Sequence, residues 1–163
     1  MGKVPALQHG NTMVTETGAI LAYLADLYPE KKLAPALGSA ERGSYYRCCS
    51  WWRARSRRCP PPRPKAGCRN QTERQALSAG YGRFDDVLRS LQLAVSGKRY
   101  ACGDHFTAAD LYLASYIGWS MHEGTLPSLP EFQDYALPLL QRPSAQRADA
   151  LDGPAEMPAA AAA

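Results

Sequence analysis

The stretch GDHFTAADL, from Gly103 to Leu111, predicts the start of a buried helix. Thr107 and Asp110 have the S/T-x-x-D/E spacing in which each side chain satisfies a backbone donor in the first turn of a helix. Such a cap contributes about 1 kcal/mol. Phe106 and Leu111 lie at the two positions of a hydrophobic staple, and the sequence LYLASYIGW that follows is apolar on nearly every side. We therefore predict that these four side chains have structural roles at the N-terminus of a central core helix.

The first thirty residues predict a β-hairpin followed by a helix. The segments Lys3–Leu7 and Thr12–Val14 have the composition of short strands, and the turn His9–Asn11 contains a glycine and an asparagine, which tolerate positive φ. Apolar residues then recur with helical spacing from Ile20 to Tyr28, and a proline ends the pattern. We expect this helix to begin near Thr17.

Further helices are predicted in the rest of the chain. Ser39 is placed to cap a helix that follows a connector containing Pro and Gly. Apolar residues from Phe84 to Val95 line one helical face, which Gly97 can end. Another such face extends from Phe132 to Leu140 and stops before a proline.

The net charge of +4 is concentrated in one segment. Arg47–Arg69 contains seven Arg, one Lys and no acidic residue, whereas the rest of the chain has 11 basic and 15 acidic residues. Four of the five cysteines lie in the same segment, but their spacing matches no usual zinc set. Their odd number, without a secretory signal, argues against a disulfide framework.

No apolar run approaches the roughly 20 residues that span a bilayer. We therefore predict a cytoplasmic protein with no metal site and no membrane partner.

Two motifs in the C-terminal half carry a family resemblance. GDHFTAADLYLA resembles the buried-helix signature in the C-terminal domain of the cytosolic glutathione transferases, and RPSAQRA, residues 142–148, resembles the final-helix motif of that domain. Upstream, KVPAL at 3–7 and TETGAILAYLADLYP at 15–29 resemble the second half of the family's thioredoxin-like N-terminal domain. The resemblance covers residues 1–46 and 79–148.

The resemblance implies a mainly α fold. An all-α glutathione-transferase C-terminal helical domain would follow a partial thioredoxin-like α/β domain made of the β-hairpin and one helix. The expected divisions are a partial thioredoxin-like glutathione-binding domain at 1–30, a linker at 31–38, a helical domain at 39–150 with an irregular basic Pro- and Cys-rich segment at 47–78, and a disordered tail at 151–163.

The resemblance also implies a glutathione site. In the family the bond before the proline of VPAL is cis, here Val4–Pro5, and the backbone of the preceding residue pairs with the peptide backbone of glutathione. Glu16 and Thr17 match a Glu-Ser/Thr motif in which the hydroxyl and the helix N-terminus hold the γ-glutamyl carboxylate, and the glutamate pairs with the α-amino group. Lys3 is a weaker candidate for a second carboxylate. From spacing alone, Thr17 is an ordinary N-cap and Val4–Pro5 an ordinary trans bond.

The chain departs from the family pattern before Pro5. Family members have a strand, a helix and a second strand there, with the Tyr, Ser or Cys that stabilises the glutathione thiolate. Because Pro5 is the fifth residue, we expect a truncated chain without this catalytic residue. The implied reaction joins glutathione, as co-substrate, to an electrophilic small molecule without a cofactor, and we expect this chain to be inactive. The alternative is a non-catalytic transferase-like module for protein association.

A second departure is residues 47–78, here called the basic segment. The family has at this place an apolar helical hairpin that lines the electrophile pocket and helps to form the homodimer, so a homodimer is doubtful here. One hypothesis is a GC-rich coding stretch read out of frame, with the proper frame regained near residues 77–82. The alternative is a genuine insert in which Trp51 and Trp52, among arginines, contact nucleic acid or an acidic partner. We favour the first, because the abrupt enrichment in Arg, Pro, Cys and Trp lies between segments that fit the family.

Overall fold

The computed structural model describes residues 4–56 and 84–153, with side chains described as far as Ser50 in the first of these ranges. Lys3, the part of the basic segment from 57 to 78, and the tail beyond 153 lie outside the described residues. The described elements form a two-stranded sheet and six α-helices, which confirms the mainly α fold. They are β1 Ala6–His9, β2 Thr12–Thr15, α1 Thr17–Leu27, α2 Ala40–Ser56, α3 Phe84–Val95, α4 Ala108–His122, α5 Pro130–Leu140 and α6 Pro143–Asp152.

The predicted hairpin is present. Strands β1 and β2 are antiparallel, and their register pairs Ala6 with Thr15 and His9 with Thr12. The turn is therefore two residues long, and Gly10 adopts a φ of 58° there, which glycine does without steric cost.

The buried N-terminus of α4 is organised by the carboxylate of Asp110, which is 0% exposed. Its Oδ2 accepts hydrogen bonds from the backbone N–H of Thr107 at 2.8 Å and from the Thr107 hydroxyl at 2.9 Å. Its Oδ1 accepts from the backbone N–H of Ala101 at 2.7 Å and from the hydroxyl of Tyr135 at 2.7 Å. The Thr107–Asp110 pair therefore caps α4 and also anchors the preceding loop and α5.

Phe106 and Leu111, the other residues predicted to have structural roles at this helix end, have different surroundings. Leu111 is 41% exposed. Phe106 packs edge-on against Tyr100, and the guanidinium of Arg142 lies 3.5 Å from the centre of the Phe106 ring. Phe106 thus helps to hold the start of α6 next to the start of α4.

Two clusters of buried side chains form the core. The larger lies among α3, α4 and α5 and comprises Leu91, Val95, Leu113, Ala114, Ile117, Leu126, Phe132, Tyr135 and Ala136. The smaller joins α2 to the loop before α4 and to the N-terminus of α4, and comprises Tyr45, Cys49, Cys102, Ala108 and Ala109. Side chains of α1 and of the connector, which is residues 29–38 between α1 and α2, pack against this second cluster. The cluster therefore links the hairpin and α1 to the helices that follow.

The connector is fixed by hydrogen bonds from both sides. The guanidinium of Arg42, 5% exposed on α2, donates to the carbonyl of Pro35 and to the carboxylate of Asp26 on α1. The N–H of Ala108 donates to the carbonyl of Leu33 at 2.8 Å. As predicted, Ser39 caps α2, since its hydroxyl accepts the N–H of Arg42.

Helix α2 is longer than the sequence led us to expect. The basic segment was expected to be irregular from Arg47, but the helix continues to Ser56. The first proline of that segment is Pro60, so no residue before it is barred from helical backbone. Burial of Cys49 at 6% exposure also gives this part of α2 a core-facing side.

Helices α1 and α2 approach each other closely at Gly18. A Cβ atom on Gly18 would collide with the backbone carbonyl oxygen of Cys49, and backbone cannot move aside as a flexible side chain can. By contrast, a Cβ on Gly43, also in a helix, would meet nothing within 4 Å.

Among the described residues, no helix combines the length and apolar character needed to cross a membrane.

We expect opposite effects from two Gly→Ala substitutions. Gly18→Ala should destabilise the fold by about 1–3 kcal/mol because the two helices must separate. Gly43→Ala should stabilise it by about 0.5–1 kcal/mol, since alanine is the better helix former and the site is open. Urea unfolding of both variants measures the difference, and equal effects would contradict the close packing at Gly18.

The Asp110 network leads to a graded series of stabilities. Asp110→Ala should cost at least about 3 kcal/mol, because it leaves buried donors of Ala101, Thr107 and Tyr135 without an acceptor. Tyr135→Phe removes one of the four bonds and should cost about 1–3 kcal/mol. The control, Asp134→Ala on the exposed side of α5, should change stability by less than about 0.5 kcal/mol. An Asp110→Ala variant that unfolds together with the control would refute this role.

Candidate functional site

The residues before β1 and after β2 meet at the open end of the hairpin. Because Ala6 pairs with Thr15, the antiparallel register places Val4 and Pro5 beside Glu16 and Thr17. The Val4–Pro5 peptide bond is cis, and the Val4 side chain is 86% exposed. The residues to which the resemblance assigns glutathione recognition, apart from Lys3, are thus brought together.

Glu16 has an unusual backbone conformation at this junction. Its φ is 73° and its ψ is 120°, values that an L-residue with a side chain adopts only at a cost of order 1–3 kcal/mol. Glycine would adopt this φ without strain, yet the chain has a glutamate here. Backbone strain of this kind is concentrated at binding and catalytic sites.

The N-terminus of α1 starts at Thr17, which is half-buried. The carbonyl of Glu16 accepts the N–H of Ile20 at 2.9 Å, so the N–H groups of the three preceding helical residues have no acceptor inside the helix. The side chain of Glu16 makes no capping bond to this turn, in contrast to the capped start of α4. A helix end of this kind attracts anions through its N–H groups and its dipole.

A cleft of about 520 Å³ opens next to this helix end, between α1 and α2. Its walls are mainly apolar, and its lining residues are Glu16, Gly18, Ala19, Ala22, Tyr46, Cys49 and Ser50. A cavity of this volume is in the range that holds a small organic ligand. Sequence reasoning missed the residues of α2, because that helix was expected to fail at Arg47.

Two of the polar side chains that α2 adds to the cleft, Cys49 and Ser50, are of types that can activate a ligand thiol only when they carry a charge or act as a base. Burial, followed by the influence of Cys48, raises the pKa of Cys49 to about 11. Cys49 is therefore a neutral thiol at neutral pH. The hydroxyl of Ser50 donates to the backbone carbonyl of Tyr46. Neither Cys49 nor Ser50 therefore offers the cleft a charge or a base at neutral pH.

Comparisons with known proteins agree with this geometry. A family model described as the glutathione S-transferase N-terminal domain matches residues 1–26. Glutathione S-transferase GstA of Escherichia coli O157:H7 is 27% identical over an alignment of 159 residues, and the match covers 93% of this chain and 75% of that protein. One similar solved structure is the bacterial beta-class glutathione S-transferase of Sphingomonas chungbukensis, which is 30% identical to this chain, with a TM-score of 0.69. The match covers 93% of this chain and 75% of that one. This chain belongs to the glutathione S-transferase family.

A further family member was solved with its ligand. The structure of a sphingomonad glutathione S-transferase complexed with glutathione is 29% identical to this chain, with a TM-score of 0.66. The alignment covers 90% of this chain and 72% of that one. The hairpin and α1 of this chain thus match part of the family's thioredoxin-like N-terminal domain, and the helices that follow match its helical C-terminal domain.

The strain at Glu16 predicts an inverted response to substitution. Glu16→Gly should be more stable than Glu16→Ala by about 1 kcal/mol, because both variants lose the carboxylate but only glycine relieves the positive φ. At Glu41, in the first turn of α2, the order should reverse and alanine should be more stable by about 1 kcal/mol. Urea midpoints of the four variants provide the measurement, and the same order at both positions would rule out strain at Glu16.

Proposed function

We propose that this chain binds glutathione where the hairpin meets α1. The observation that supports this most strongly is the uncapped N-terminus of α1, with the strained residue Glu16, next to Val4–Pro5 and opening into the cleft. Glutathione is a tripeptide whose carboxylates, α-amino group and peptide backbone can pair with these groups. The proposal agrees with the glutathione complex of the sphingomonad relative.

Each part of the ligand has a proposed partner. The γ-glutamyl carboxylate accepts from the Thr17 hydroxyl and from N–H groups of the first turn of α1, where the helix dipole favours an anion. The exposed carboxylate of Glu16 pairs with the α-amino group. The backbone of Val4 pairs with the peptide backbone of the ligand, and Lys3 is a further candidate for its second carboxylate.

We infer that the 163-residue chain binds glutathione without accelerating its conjugation to an electrophile. Within the described cleft, the neutral Cys49 thiol and the backbone-bound Ser50 hydroxyl supply no base or positive charge that would lower the pKa of a bound thiol. Binding without thiolate formation leaves the nucleophile weak.

The second candidate function is protein association without catalysis. Among the described residues, β1 and β2 pair only with each other, so each strand has an outer edge, and Met13 is 57% exposed. Exposed strand edges can pair with another chain.

We further propose that residues up to about 30 and residues 39–150 correspond to the two domains of the family, joined by the connector, and that the protein acts in the cytoplasm.

Isothermal titration with reduced glutathione tests the binding site. We expect wild type to bind and Thr17→Val to bind about tenfold more weakly or worse, because a hydrogen bond to a charged group is lost without a change of shape. Thr12→Val, the same change at the far end of the hairpin, should bind as wild type does. Absence of binding to wild type, or equal losses in both variants, would refute the glutathione site.

Steady-state conjugation of glutathione to an aryl halide tests the inferred lack of catalysis. We expect no rate above the uncatalysed one from the 163-residue chain. A clear rate that Thr17→Val lowers and Thr12→Val does not would overturn the inference of inactivity while keeping the binding site. Binding without any rate supports the proposal as stated.

A further inference from the structure

Two cysteines outside the proposed glutathione contacts lie close together. Cys48 is on α2, Cys102 is in the loop before α4, and their sulfur atoms are 4.0 Å apart although 54 positions separate them in sequence. Cys102 is 2% exposed, Cys48 is half-buried, and both are free thiols. The loop that carries Cys102 is fixed by the bond from Ala101 to Asp110, so this proximity is part of the folded core.

The two thiols have unequal surroundings. Cys102 donates its S–H to the sulfur of Cys48, and this bond, helped by the positive charges of Arg47 and Lys98, lowers the pKa of Cys48 against the effect of burial. The same bond, together with burial, raises the pKa of Cys102. Cys48 therefore has the thiolate character of an attacking group, and Cys102 remains a protonated neighbour.

We propose that Cys48 and Cys102 form a dithiol site that hydroperoxides oxidise to a disulfide. The Cys48 thiolate attacks one peroxide oxygen, the O–O bond breaks, and the released oxygen leaves as hydroxide, which takes up a proton to become water. Cys48 is then a sulfenic acid. The sulfur of Cys102 attacks the sulfur of Cys48, the S–OH bond breaks, and the second oxygen leaves as water with the proton of Cys102. In sum, two thiols and one hydrogen peroxide give one disulfide and two water molecules.

The bond requires a change in the side-chain positions. The sulfur atoms must approach from 4.0 Å to about 2.05 Å. The neighbouring thiol of Cys49 lines the cleft instead, because consecutive positions of a helix point about 100° apart. The resulting crosslink would join α2, which forms one wall of the cleft, to the loop anchored on Asp110.

Peptide mapping after treatment with hydrogen peroxide tests the site. Trypsin releases residues 48–53, with Cys48 and Cys49, and residues 100–147, with Cys102 as the only cysteine. We expect a disulfide between these two peptides in the wild-type chain and in Cys49→Ser, and none in Cys48→Ser. The oxidised wild type should melt about 5 °C or more above the reduced form, since the bond closes a long loop. This shift should be absent in Cys48→Ser.

A second variant follows the intermediate. In Cys102→Ala, which keeps the buried site apolar, Cys48 should react more slowly because the S–H donor is lost. It should then stop at the sulfenic acid and be labelled by dimedone, whereas the wild type should show little label. A crosslink that persists in Cys48→Ser, or that Cys49→Ser abolishes, would overturn the pairing. Unreacted Cys48 and Cys102 after peroxide treatment would also overturn the proposal, and none of these three outcomes bears on the proposed glutathione site.

Discussion

The carboxylate of Asp110, buried at the start of α4, is the contact on which the packing of the other helices depends. A fully buried carboxylate is costly unless donors replace the water that it has lost. Here four donors do so, and they come from the loop before α4, from the helix cap and from α5. One side chain thus fixes three parts of the chain that meet at the helix start. The adjacent N–H of Ala108 extends the same junction to the connector through Leu33.

The starts of α1 and α4 differ: the residues at the start of α4 stabilise the fold, whereas the start of α1 is the proposed binding site. At α4 the free N–H groups are satisfied internally, the cap is buried, and the residues act in stability. At α1 the N-cap Glu16 is exposed, strained and makes no capping bond, which leaves the turn open to an outside anion. The energetic cost of an uncapped, strained end is offset by the rest of the fold, which is the usual condition for a functional site.

Local patterns in the sequence predicted much of this structure. The hairpin turn, the start of α1, the caps at Ser39 and Thr107 and the apolar face of α3 all follow from contacts within a few residues. The extent of α2 did not follow, because the composition of the basic segment suggested disorder while burial of Cys49 stabilises a helix. The cleft was also not predictable. Its width depends on Gly18 meeting the backbone of Cys49, a contact between residues distant in sequence.

Cys48 and Cys49 show why a residue type alone does not determine chemistry. Consecutive positions on a helix point about 100° apart, so the two thiols face different neighbours. Cys49 packs beside Tyr45 and lines the cleft, where burial keeps it neutral. Cys48 meets Cys102 and the charges of Arg47 and Lys98, which favour its thiolate. The thiol that faces the cleft is therefore the less reactive of the two, and the more reactive thiol faces the core beside Cys102. This division separates the proposed glutathione site from the proposed redox site, although consecutive residues of one helix contribute to both.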